Sequence, residues 1–347
     1  DTSGEESDYG LNIAPALRLQ SNWLRHSLIV NASASQIFYA RNSDFNTTSV
    51  ASDATLRLDV RRTTNLEFRA GYALTSTPPS NSEVPGNAIS QRNDHELSAS
   101  GALVRRFSRL EATLRAGATW FLFDNVRLSG GGVENNADRE YVEPSASIRL
   151  GWRNSAALTP YVEVAYTPRI HKQRIDRNGL RRDSDGITVL AGATFNFSPL
   201  WAGDAALVYE YRNFDDPSLR SINAVGLNAN INWRPDRLTT ITFRSTTTLD
   251  ESATLGISGT RNYGAGIDLT RLLRENLQYR LNLDVSYSDF IGSSADDIYY
   301  TARTGLTYSF NRKAQWLIDY QMNLLDSGTP GMNTIEHRIS TGFNFRL

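Results

Sequence analysis

An all-β fold, an antiparallel transmembrane β-barrel, is predicted by three features of this chain of 347 residues. Apolar and polar residues alternate over stretches long enough to cross a bilayer as strands, the alternation returns about every twenty residues from end to end, and no helix-period segment intervenes. Side chains on a strand point alternately to opposite faces, so each stretch has one oily face and one face that wants water. Repetition of such strands along the whole chain describes a closed sheet with oil outside and water inside. Residues 277–290 show it best: Leu277, Tyr279, Leu281, Leu283, Val285 and Tyr287 alternate with Gln278, Arg280, Asn282, Asp284, Ser286 and Ser288.

Composition agrees. A hydrophobic fraction of 40% and a mean hydropathy of -0.41 are too polar for helical spans, and no run approaches the roughly 20 apolar residues that a spanning helix needs. A net charge of -1 without a basic cluster argues against nucleic-acid partners. With no cysteine, disulfides, thiolate metal sites and cysteine nucleophiles are excluded. Only Lys172 and Lys313 are lysines among 36 basic residues; a GC-rich genome would give this, and so would guanidinium bridges to carboxylates across a lumen. Residues 1–8 lack a basic and an apolar leader region, so any signal peptide is expected to have been removed. They read as a loop remnant, and residues 9–347 as the strands of a single outer-membrane domain.

In chain order, residues 11–19 place Leu11, Ile13, Pro15, Leu17 and Leu19 on one face. The next strands follow the same grammar: Leu28, Val30, Ala32 and Ala34, then Leu56, Leu58 and Val60, then Leu66, Phe68, Ala70 and Tyr72 after a tight turn near Arg62. Residues 75–93 carry Pro78, Pro79 and Pro85 and are expected to be the longest loop, since proline removes a ladder donor. Leu97 to Leu103 and Leu110 to Leu122 form the next pair, followed by a loop with Gly130, Gly131 and Gly132. Further alternating stretches are centred near Ile148, Val164, Ala191, Leu207, Leu227, Phe243, Ala265, Val285, Ala302, Ile318 and Thr341, for a total of seventeen strands.

Connections alternate between short ones, near residues 21, 62, 107, 155, 199, 235, 273 and 312, and longer polar ones, near 45, 84, 131, 178, 217, 255, 294 and 330. Outer-membrane barrels have short periplasmic turns and long external loops, which predicts a periplasmic C-terminus and extracellular long loops. Trp23, Trp152, Trp201, Trp233 and Trp316 all lie beside short connections and are expected to form a periplasmic aromatic girdle. Tyr39, Phe121, Phe214, Phe290 and Tyr299 are candidates for the outer one. Seventeen is odd, whereas single-chain bacterial barrels are even-stranded. An eighteenth, N-terminal strand is therefore expected to be absent from this chain. Either a separate polypeptide supplies it or the first and last strands pair directly.

The run Ser7-Asp8-Tyr9 followed by residues 11–23, with Arg25 and His26, resembles the β-barrel porin type 2 family of outer-membrane proteins, common in alphaproteobacteria. The resemblance implies a barrel across the whole chain, an N-terminal strand ahead of this run, and a link to exopolysaccharide genes. It carries over no functional residue. Phe343, Phe345 and Leu347 resemble the C-terminal signal read by the barrel assembly machinery, with Leu347 where an aromatic is usual.

No enzyme signature stands out. His26, His95, His171 and His337 are scattered without metal spacing, and His26 or His337 with a serine is the only catalytic arrangement worth testing. The acidic pairs Asp183 and Asp185, Asp215 and Asp216, and Asp296 and Asp297 read as solvated turns or as weak divalent-ion sites between lipopolysaccharide phosphates. No cofactor or metal is expected. The candidate lumen residues are Arg57, Asp59, Glu67, Arg69, Glu111, Arg115, Glu143, Arg149, Glu163, Glu210, Arg212, Arg244, Arg280, Asp284, Arg303, Asp319 and Arg338. With the other inward positions, thirteen positive charges face ten negative ones. Such a set makes either a paired ladder that stiffens the wall or a mildly cationic pore.

The expected function is an outer-membrane channel for a hydrophilic solute, with polysaccharide export as one form of it. A non-conducting scaffold within a larger outer-membrane complex is the alternative. The expected partners are membrane lipid and lipopolysaccharide, the assembly machinery during biogenesis, and a polypeptide that completes or fills the barrel.

Overall fold

The alternation is realised as strand throughout. The computed structural model describes residues 7–41, 43, 46–77, 84–85, 87–153, 155, 157–252, 256–329 and 331–346. The elements are β1 (Gly10–Ile13), β2 (Ala16–Gln20), β3 (His26–Tyr39), β4 (Thr47–Arg61), β5 (Thr64–Thr77), β6 (Arg92–Phe107), β7 (Leu110–Phe123), β8 (Val126–Arg127), β9 (Val133–Glu134), β10 (Tyr141–Trp152), β11 (Leu158–Tyr166) and β12 (Ile170–His171). They continue with β13 (Ser184–Ser198), β14 (Trp201–Phe214), β15 (Ile222–Trp233), β16 (Thr239–Glu251), β17 (Gly259–Arg274), β18 (Leu277–Ile291), β19 (Asp296–Ser309), β20 (Ala314–Ser327) and β21 (Thr334–Phe345). Nineteen belong to one sheet, and β8 and β9 form a separate hairpin. The fold is an all-β antiparallel barrel of the transmembrane class.

Twenty-one strands replace the expected seventeen, for two physical reasons. Residues 11–19 do not form one strand. Ile13 pairs with Gln36 and Ala16 with Ser33, and between them Pro15 has no N–H to give, although its carbonyl accepts from Ala34 N at 3.0 Å. The other three additions, β8, β9 and β12, are two-residue pairings inside polar connections, where side-chain periodicity is too brief to read.

By packing, the chain falls into two units. The first comprises Asp1–Leu150, Glu163–Ile187 and Arg212–Arg220. Its strands β3 to β7 are consecutive hairpins whose register sorts the two faces: Leu28, Leu56, Phe68, Gly101 and Ala116 share one row, while Arg57 and Glu67 face each other on the opposite side. The loop expected over residues 75–93 is shorter, because β5 runs to Thr77 and β6 starts at Arg92. Ser76 Oγ donates to Asn93 Oδ1 at 3.0 Å and Thr77 Oγ1 to Asp94 Oδ2 at 2.7 Å, which extends the ladder by two rungs. Pro78 and Pro79 lie outside the described residues, as do residues 1–6 of the loop remnant and Leu347 of the terminal signal.

The second unit comprises Gly151–Val162, Thr188–Tyr211 and Ser221–Leu347. Strands β16 to β21 pair in sequence order, with one irregularity between Leu272 and Arg274. Their links are brief, and the connection near residue 294, expected to be long, holds only residues 292–295. Continuous pairing is what a bilayer demands, since an unpaired backbone group in hydrocarbon costs several kcal/mol. Leu207, Val225 and Ile339 are 65%, 66% and 78% exposed, an arrangement water would penalise and lipid rewards. Few apolar side chains are fully enclosed; Val126, Val208 and Ile222 are the largest among the described residues.

Candidate functional site

On the polar face of the second unit the charges are set by register. Arg244 lies opposite Gly266, and Gly266 opposite Asp284. Four residues back along β18, the order recurs: Arg280 lies opposite Gly305, and Gly305 opposite Asp319. In each triplet the glycine on the middle strand leaves room for the aspartate to lie flat across it. A Cβ on Gly266 would collide with Asp284 Oδ1, and one on Gly305 with Asp319 Oδ1. Asp284 Oδ1 thereby reaches Arg244 Nη2 at 2.8 Å, and Asp319 Oδ1 reaches Arg280 Nη2 at 3.4 Å.

The two triplets then diverge. Arg244 is held by a second carboxylate, with Nε 2.6 Å from Asp268 Oδ2, so two negative charges flank one positive. Asp319 has instead a second guanidinium, Arg303, whose Nε stands 3.6 Å from the same Oδ1. Two positive charges share one oxygen there, both beyond the usual 2.7–3.2 Å of a good N–H···O bond.

The first unit repeats the two-arginine pattern. Glu163 is approached by Arg115 at 3.5 Å and Arg149 at 3.7 Å, and Glu143 by Arg169 at 3.3 Å and Arg212 at 2.8 Å. Simple pairs complete the set: Arg57 with Asp59 at 3.0 Å, Arg69 with Glu67 at 2.5 Å, Arg106 with Glu111 at 2.7 Å, and Arg338 with Glu336 at 2.7 Å. Glu210 is likewise engaged. Each half-exposed pair is worth about 0–1 kcal/mol, so its effect is to fix where charge sits more than to hold the fold.

A different site forms where the connections 124–140 and 167–183 meet residues 215–216. Arg177 donates to Asp138 Oδ1 at 2.6 Å, to Asn135 O at 2.7 Å and to Asn136 Oδ1 at 3.2 Å, and pairs with Glu134. Arg182 Nε meets Asp176 Oδ2 at 2.6 Å with both side chains 7% exposed. Burial alone would push the Asp138 and Asp176 carboxyls up, but hydrogen bonds and charge from Arg177 and Arg182 outweigh it and hold both below the ordinary range. The hydrogen bond to Asp138 raises Arg177 against the opposing effect of burial.

Members of the acidic pairs, read as solvated turns or weak ion sites, accept from protein donors. Asp183 accepts from His171 N at 2.7 Å, Asp185 from the Tyr166 hydroxyl, and Asp297 from Ser327 Oγ at 2.5 Å. Asp216, brought down to about 2, accepts from Ser218 Oγ at 2.6 Å and from the backbone N–H of Arg181 and Ser218. No cluster of potential metal ligands occurs among the described residues. The histidines singled out with serine have other neighbours: His26 Nδ1 accepts from Asp59 N at 3.2 Å, and His337 Nδ1 lies 2.9 Å from the Tyr320 hydroxyl.

A family model described as "Putative beta-barrel porin 2" matches residues 1–347. The chain belongs to this porin family. No curated protein matches it. Among solved structures it is similar in fold to the FrpB iron transporter (F3-3 variant) from Neisseria meningitidis, at TM-score 0.52 and 7% identity over 98% of this chain and 66% of that one. The copper transporter OprC is similar at TM-score 0.52 and 9% identity over 97% and 64%, and FpvA of P. aeruginosa at TM-score 0.52 and 9% identity over 98% and 58%. This chain thus spans less than two thirds of their length, and at such identities the likeness concerns the fold. Membership makes the molecule a bacterial outer-membrane barrel of the porin type.

In this porin barrel the five tryptophans stand near strand ends that adjoin short links. Trp152 ends β10, Trp201 opens β14, Trp233 ends β15, Trp316 is near the start of β20, and Trp23 sits between β2 and β3. Trp201 and Trp233 stack with centroids 5.3 Å apart. The sequence pattern did not single out Gly266, Gly305 or the Arg177 cluster. Counting register outward from each hairpin turn would have found the two glycines.

Proposed function

We propose that this porin barrel is a passive conduit across the outer membrane for hydrophilic solutes, leaning toward anions, with an anionic polysaccharide chain as one such cargo. The carrying observation is that three buried or half-buried carboxylates, Glu143, Glu163 and Asp319, are each approached by two arginines. Placed on the water-facing wall, these groups act as weak, repeated contacts that favour anions without trapping them. In this reading the short links and tryptophans mark the periplasmic rim, the long connections and the Arg177 cluster lie outside the cell, and the C-terminus is periplasmic.

A second reading, a non-conducting scaffold within a larger outer-membrane complex, is favoured by β21, where Ile339 and Phe345 are 78% and 75% exposed. Single-channel recording from purified, folded protein in planar bilayers separates the two. A steady conductance with a reversal potential shifted toward the anion supports the conduit; silence from correctly folded protein supports the scaffold.

A further inference from the structure

The Asp319 group leaves most of its guanidinium donors uncommitted. Among the described residues Arg303 makes no side-chain hydrogen bond, its only ion-pair partner is Asp319 Oδ1 at 3.6 Å, and its side chain is 47% exposed. Arg280 has one hydrogen bond, at 3.4 Å to the same oxygen, and its buried Nε has no partner. A guanidinium carries five N–H donors in a planar fork, so nearly the whole donor set of two neighbouring arginines is uncommitted. In the Arg244 group the carboxylates stand closer, at 2.6 and 2.8 Å, although its buried Nε likewise makes no hydrogen bond.

The surroundings fit an added acceptor. Register sets Arg303 between Asn282 on β18 and Gln321 on β20, and Gln321 lies opposite Arg338 on β21. Arg280 is one row away, about 7 Å along the strand direction from that row. Asp319, 10% exposed at its side chain, lies beneath both arginines and supplies one negative charge where two positive ones stand. The two arginines therefore offer an oxyanion position that Asp319 occupies through long contacts only.

Resting on the conduit reading for its access to solute, we propose that Arg280 and Arg303 form an oxyanion subsite on the polar wall, which takes the carboxylate or phosphate group of a passing solute in competition with Asp319. Competition gives the proposal its sign. Removing the carboxylate should strengthen ligand binding, whereas removing a member of a purely structural ladder should weaken the fold and improve nothing. Gly305→Ala offers a second route to the same end, because its methyl group displaces Asp319 Oδ1 from between the two arginines without removing any charge.

The test is isothermal titration calorimetry of the whole chain, folded in uncharged detergent at low salt, with inorganic phosphate and with acetate; heat-modifiable gel migration verifies the fold of each variant. Asp319→Asn and Gly305→Ala should bind the preferred probe about tenfold more tightly than the parent, and Arg303→Gln and Arg280→Gln about tenfold more weakly. Which probe binds tells phosphate from carboxylate chemistry. Equal affinity in parent, Asp319→Asn and Arg303→Gln, or binding of neither probe by any folded variant, overturns the subsite. Binding without conductance would retain the subsite and remove the conduit, and conductance with unchanged binding would do the reverse.

Discussion

The Arg177 cluster of the first unit and the Asp319 group of the second use the same chemistry in opposite ways. In the cluster, guanidiniums are enclosed by carboxylates and carbonyls: Arg177 meets Asp138, Glu134 and Asn135 O, and Arg182 and Asp176 are both 7% exposed. Charge there is consumed in fixing the path of two long connections. On the wall, one aspartate serves two arginines at 3.4 and 3.6 Å, and the guanidiniums stay 35% and 47% exposed. In the proposed conduit, charge there remains available to solute. Arginine and carboxylate in similar proportion thus make a rigid loop or a responsive surface, depending on how many donors the protein itself satisfies.

The largest effect that could break this contrast is expected at Arg177. Arg177→Ala leaves Asp138 and Glu134 enclosed without their cation, a loss of about 1–3 kcal/mol. Hydrogen exchange should show residues 134–140 and 171–183 opening while β16 to β20 keep their protection. Unchanged protection in those connections would mean that the cluster holds nothing.

Acid should act on the same connections. The Asp138 and Asp176 carboxyls are held below their ordinary value of 3.8, so their contribution is complete above that value and is lost as pH falls through the lower, folded value. Limited proteolysis between pH 7 and pH 3 should find residues 167–183 resistant until pH drops below about 4. A smaller effect is expected at Gly266→Ala, where Asp284 can swing aside into water, for a cost of about 1 kcal/mol or less. Thermal unfolding should barely move, while Arg244 loses its contact with Asp284 and keeps Asp268. Smallest of all, Arg57→Gln should alter stability by no more than about 0.5 kcal/mol, because its partner Asp59 stays solvated.

How much of this was legible follows from the range of each signal. Alternation is a property of one strand, and it placed residues 277–290 within one residue of β18 at Leu277–Ile291. The pairing of Arg280 with Asp319 across Gly305 belongs to three strands, and it depends on register. A turn read near residue 273 is truly the link at Glu275 and Asn276, and an error of about two residues in a turn shifts every partner by about four. The sequence therefore names the charged residues of each strand without naming their partners. The Arg177 cluster was less visible still, since its partners come from some forty residues away in connections without any period. Pro15 was read as one apolar position of a strand, whereas its missing N–H divides that strand in two.

The most direct measurement is the reversal potential of single channels under a potassium chloride gradient, compared between the parent chain and Arg280→Gln with Arg303→Gln combined. The account predicts an anion-leaning parent whose preference falls or inverts in the double variant while conductance persists. A parent without ion preference, or a preference indifferent to both substitutions, would contradict the claim that uncommitted arginines on the wall set what this barrel passes.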